Sequence, residues 1–145
     1  PQAAQAIQFP MNRSRFLLHC LISLLLTLGL AFGMHSWIRY RSGLAPAGDL
    51  LPFTYLVNGL LAFAIVAGLY ALRLKMRHQI GFLFIGGSLL KFLFFFIFFY
   101  PEFTADDTID RNEFSSFFVP YFFSLLLETY FTSLMLRNLE EEHPG

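Results

Sequence analysis

The chain has 145 residues, of which 56% are hydrophobic, 19% aromatic and only 14% charged. Soluble domains carry about 25% charged residues, so this balance argues against a disordered chain and an ordinary cytosolic enzyme. Ten basic and ten acidic residues cancel, so nothing favours nucleic acid or another polyanion as partner.

The first ten residues are rich in Ala and Gln, and Met11 follows them. We read residues 1–10 as a non-native or disordered extension and Met11 as the natural start. Residues 11–139 then read as a single membrane domain, and 140–145 as a short acidic, soluble tail. A helix needs about 20 mostly apolar residues to cross a hydrocarbon core of about 30 Å. Four runs qualify: 14–37, 51–72, 79–100 and 114–136. They are continuous rather than alternating, which indicates helices and not barrel strands. The expected fold is therefore all-α, an integral membrane four-helix bundle. The first run also has the outline of a secretory leader, with Arg13 and Arg15 before an apolar core. Its length and the lack of a small-x-small cleavage site favour a retained span.

Cys20 lies within the first run and has no second cysteine to pair with. It therefore gives no information on redox compartment. His19, Ser23 and Thr27 recur every four residues and so share one helix face. We expect that face to point into the bundle. His19 has no second ligand nearby, so a satisfied interior histidine is the better reading than a metal ligand. Gly29 and Gly33 form a Gly-x-x-x-Gly step, which permits close helix packing. Ser42, Gly43, Pro46 and Gly48 mark the first loop.

The second run holds one amide, Asn58, and a small-x-x-x-small step at Ala64 and Gly68. Arg73, Lys75, Arg77 and His78 make a short basic turn. The third run carries Gly86, Gly87 and Ser88, then Lys91 near its middle. An almost wholly aromatic stretch follows to Tyr100, and Pro101 is expected to stop the helix.

The loop at 101–113 is acidic. With Glu102 at position one, Asp106, Asp110 and Glu113 fall at positions five, nine and twelve of an EF-hand loop. Position six is Asp107 where that turn needs Gly, and position three is Thr104. The loop is thus a weak metal candidate. A solvated loop with Asp110 or Asn112 capping the fourth helix accounts for it more simply.

The fourth run places Tyr121, Ser124, Glu128 and Thr132 along one side. Glu128 and Lys91 lie at depths that differ by about 3 Å at about 1.5 Å per residue. The third and fourth spans are joined by a short loop and should be antiparallel neighbours. A charge in lipid is costly unless paired or hydrated. A Lys91–Glu128 ion pair is therefore expected, first as a clamp on helix register and second as a cation or proton site. Arg13, Arg15, Arg73, Lys75, Arg77 and Arg137 lie toward one end, against Arg39, Arg41 and Arg111 at the other. The richer end is expected to be cytoplasmic, with both termini there.

Several stretches carry a resemblance. They are 79–84, Leu89-Leu90-Lys91-Phe92, Phe98-Phe99-Tyr100-Pro101, Glu113-Phe114, and Phe117-Phe118-Val119-Pro120-Tyr121 with Glu128. The chain resembles a family of small four-span membrane proteins of unknown function common in Bacteroidota, from Met11 to Leu139. Asp107 departs from the Gly of many members. In layout, though not in motif, that family is similar to the ATP synthase I chain, a four-span protein associated with c-ring assembly. The genes of the family that the chain resembles often lie beside those of the ATP synthase membrane sector. No catalytic residue is established for that family, so none is carried over; no cofactor is expected, and the expected location is the bacterial inner membrane. The resemblance favours an accessory or assembly factor of that sector. The alternatives are a small cation carrier or channel subunit using Glu128, or a structural protein that self-associates. An enzyme is not expected, since no nucleophile–base pair or phosphate loop is visible.

Overall fold

A computed structural model describes residues 13–142, and all the helices and turns below lie within it. Met11 and the expected extension at 1–10 lie outside the described residues. Helix α1 spans Arg13–Arg41 and α2 spans Leu51–Leu72. A short 3-10 turn at Arg77–Gln79 leads into α3, Ile80–Phe94. A π turn, Phe95–Phe99, joins α3 to α4, Tyr100–Phe103. Helix α5 runs Arg111–Glu142, so residues 140–142 extend it. No strand occurs among the described residues. Four helices are long and apolar enough to cross a membrane, the third being the composite Arg77–Phe103.

The outer surface supports that reading. Leu25, Leu30, Met34, Leu60, Phe82, Leu89 and Tyr130 are all more than half exposed, Phe82 by 78%. A soluble protein rarely shows so much contiguous apolar surface. In a bilayer these side chains meet lipid tails, so the helices are apolar on both faces.

Inside, α1 buries Phe16, Cys20, Leu24 and Leu28, a stripe of period four. It packs on α2 and α5, and α2 with α5 forms the most extensive pairing. Thr54 meets Ser116 at one end, and at the other Phe16 stacks on Tyr70 and meets Phe131 edge-on. Helices α2 and α5 therefore run parallel. The third span packs mainly on α2, and its backbone approaches α5 only sparingly. The expected close antiparallel pairing of the third and fourth spans is thus looser than their short connection suggests. Side chains cross the gap instead. We call the end with the 73–79 turn the turn end and the opposite one the loop end.

Pro101 does not end the third span. It sits in the first turn of α4, where its missing N–H is tolerated. The cost falls one turn earlier. Pro101 cannot bond Ile97, and Tyr100 N–H reaches back to Phe95 O, a π step. Lys91, Phe95, Phe99 and Phe103, spaced by four through the π turn, are all buried. Phe95, Phe99, Phe103, Phe117 and Tyr121 make a second core cluster at the loop end.

The loop at 42–50 folds onto Arg39. Arg39 is buried, pairs with Asp49 at 2.9 Å and donates from Nε to Ala45 O at 2.9 Å. Ser36 donates to Pro46 O, and Ser116 Oγ lies 3.0 Å from Asp49 O and 2.9 Å from Glu113 O, with one proton shared between them. Arg39 counts toward charge orientation, yet its guanidinium is spent on organising the loop. A side chain at Gly48 would meet Arg39 Nη2 at 2.7 Å.

The small-residue steps do not pack inside the bundle. A Cβ at Gly29, Gly33, Gly68 or Gly86 would meet nothing within 4 Å, and Ala64 is exposed. Close approach occurs at Gly87, where a Cβ would lie 2.9 Å from Ile65 Cγ2. It also occurs at Gly59, 3.0 Å from Leu28 Cδ1, a position outside any of those steps. Gly87→Leu is therefore expected to destabilise by about 1–3 kcal/mol through overpacking. Gly86→Ala should be neutral or stabilising by up to about 1 kcal/mol. Reversible unfolding in bilayers or bicelles checks both.

Candidate functional site

Lys91 on α3 and Glu128 on α5 are both buried, at 0% and 1% exposure. Lys91 Nζ lies 3.1 Å from Glu128 Oε1. The ammonium also donates to Ser124 Oγ at 2.6 Å, and Ser124 Oγ donates to Tyr121 O at 3.0 Å. The Tyr121 ring centroid lies 4.9 Å from Nζ, which adds a cation–π attraction. Phe92 closes the loop-end side, 5.0 Å from Tyr121 between ring centroids. Ser124 and Glu128 meet Lys91 together because they lie one turn apart on α5. The long lysine stem bridges a gap that the two backbones leave open.

One turn toward the loop end, Pro120 lies inside α5. A proline has no N–H for the carbonyl four residues back, here Ser116 O. Thr54 Oγ1 donates to that carbonyl at 2.6 Å. The same hydroxyl lies 2.8 Å from Leu51 O. It has one proton, and the shorter contact is the one that ties α2 to α5. Asn58 Nδ2 in turn donates to Thr54 O at 2.9 Å. Thr54 was not singled out by the sequence; the available signal was a mid-span proline at the depth of a hydroxyl on another span.

The remaining polar positions divide. Asn58, Tyr121, Ser124 and Thr132 are buried. Ser23 and Thr27 are half-buried at the edge of the packed face, and His19 is exposed. The expectation that His19, Ser23 and Thr27 point inward is corrected for His19. The stripe one residue later, from Phe16 to Leu28, takes the inner side. A different histidine is engaged: His35 Nδ1 and Tyr55 OH lie 3.1 Å apart.

The acidic loop is not gathered for a metal. No group of three or more His, Cys, Asp or Glu is placed to hold an ion among the described residues. Glu102, Asp106 and Asp110 are exposed. Glu113 N–H donates to Asp110 Oδ1 at 2.8 Å, and Asp110 N–H donates to Glu113 Oε2 at 3.0 Å. This reciprocal box starts α5 and uses the carboxylate that would complete an EF-hand. Asp107 has φ 70°, the left-handed conformation that Gly adopts at lower cost.

A family model described as a family of unknown function, DUF6168, matches residues 11–139. No curated protein and no solved structure matches the chain.

Proposed function

The chain belongs to DUF6168, a family of unknown function, and we propose that it is a non-enzymatic, multi-pass accessory or assembly factor of the ATP synthase membrane sector. We place it in a bacterial inner membrane, of the Bacteroidota type, with both termini cytoplasmic. The observation that carries this reading is the division between inside and outside. The Lys91–Glu128 pair is spent within the bundle, while Gly29, Gly33, Ala64, Gly68 and Gly86 lie on the outer surface. Exposed small residues let another membrane helix approach closely. A bundle paired inside, with small residues exposed outside, suits a protein that docks on other membrane subunits. The four-span layout with a basic residue in the third span is similar to that of the ATP synthase I chain.

Photocrosslinking from positions 29 and 86 in native membranes tests this. The expected captures are c-ring or neighbouring membrane subunits. Capture of other copies of this chain alone would favour a self-associating structural protein instead.

A second reading, a small cation-handling protein, is favoured by Glu128 Oε2, a buried carboxylate oxygen with no donor among the described residues. Cation flux in liposomes that disappears in Glu128→Gln would support it. Flux that persists in that variant would remove it.

A further inference from the structure

Besides Glu128 Oε1, which faces Lys91 Nζ at 3.1 Å, three buried oxygens near the ion pair lack a hydrogen-bond partner: Glu128 Oε2, Ser88 Oγ and Thr132 Oγ1. Thr132 follows Glu128 by one turn on the same face of α5. Ser88 precedes Lys91 by three residues on α3, again on one face. The third span and α5 run in opposite directions, so both steps lead toward the turn end. At about 1.5 Å per residue, Ser88 lies about 4.5 Å below Lys91 and Thr132 about 6 Å below Glu128. By register all three oxygens lie on the turn-end side of the Lys91–Glu128 contact.

We propose that these oxygens share a buried water site, held by Glu128 Oε2, Ser88 Oγ and Thr132 Oγ1. A polar group left unsatisfied in a membrane interior costs several kcal/mol. Three such groups together are far more costly than one ordered water. Buried waters make about three hydrogen bonds. A water here donates to the carboxylate oxygen and to one hydroxyl, and accepts from the other. Hydroxyls can serve in either role. A metal cation is the poorer occupant. Lys91 already neutralises Glu128 at 3.1 Å, so a second positive charge would stand uncompensated in a medium of low dielectric. The water completes the shell of Glu128 on the side that Lys91 does not reach. The site is independent of which partner the bundle serves.

Solid-state NMR of the full chain in lipid bilayers tests it, by magnetisation transfer from water protons to the Glu128 carboxyl carbon. Transfer is expected in the unaltered protein and should be lost in Ser88→Ala/Thr132→Val. The Lys91 Nζ–Glu128 contact should persist in that variant and report an intact bundle, and Thr132→Ser should retain transfer. Absence of transfer in the unaltered protein would overturn the proposal. So would undiminished transfer in the double variant. Exchange of sodium for choline that shifts the Glu128 resonance would also overturn it, by placing a cation in the site.

Discussion

Lys91→Met alone is expected to destabilise the bundle by about 3–5 kcal/mol, the cost of leaving a buried carboxylate without its partner. Lys91→Met with Glu128→Gln should recover much of that loss, since the double variant buries no net charge. The reasoning rests on burial at both ends of the contact, 0% and 1% exposed, and on the 3.1 Å separation. The pair does not have to be strongly stabilising for this to hold. Replacing a buried pair as a unit is often neutral, while removing one member is not. A double-mutant cycle by reversible unfolding in bicelles checks it. Equal destabilisation in the single and double variants would mean that the two residues are not coupled. Ser124→Ala belongs to the same cycle and should cost less, because it removes one neutral acceptor from the ammonium.

Thr54→Val should destabilise by about 1–3 kcal/mol, the penalty for an unsatisfied buried carbonyl. Ser116 O is that carbonyl, because Pro120 has no N–H to give it and the Thr54 Oγ1 hydroxyl donates to it instead, at 2.6 Å. The diagnostic is Pro120→Ala. It returns an N–H to α5, so Thr54→Val in that background should cost distinctly less. The same unfolding measurement reads both. An equal cost of Thr54→Val with Pro120 and with Ala at that position would mean that the hydroxyl serves Leu51 O rather than the proline gap. The outcome bears on architecture, since this bond and the Phe16 contacts set α2 and α5 parallel and in register.

The spans were legible in the sequence because lipid imposes a length on an apolar run. The second span matches its expected ends, Leu51–Leu72. The others extend beyond their apolar runs: α1 to Arg41 and α5 back to Arg111 and on to Glu142. Polar residues at a membrane surface continue a helix without altering hydropathy inside it. Lys91 and Glu128 could be placed together because charges within such runs are rare and helical rise fixes their depth. The inner side of α1 could not be read. In water, hydrophobicity separates core from surface; in lipid, both are apolar. His19, Ser23 and Thr27 share a period of four with Phe16, Cys20 and Leu24, and spacing alone does not rank the two stripes. The same ambiguity affects the small-residue steps. Gly29 and Gly87 look alike in sequence, yet Ile65 packs over only the second. Pro101 misled for a different reason. Its effect depends on whether the helix can absorb a missing N–H, and here a π turn does so.

The lock between Lys91 and Glu128 underlies both the bundle and its proposed role. A ¹⁵N–¹³C dipolar recoupling measurement between Lys91 Nζ and the Glu128 carboxyl carbon, made on the chain in bilayers, addresses it most directly. Strong coupling, as required by an N–O separation of 3.1 Å, is the predicted result. Nitrogen and carboxyl signals that show no coupling would contradict the account.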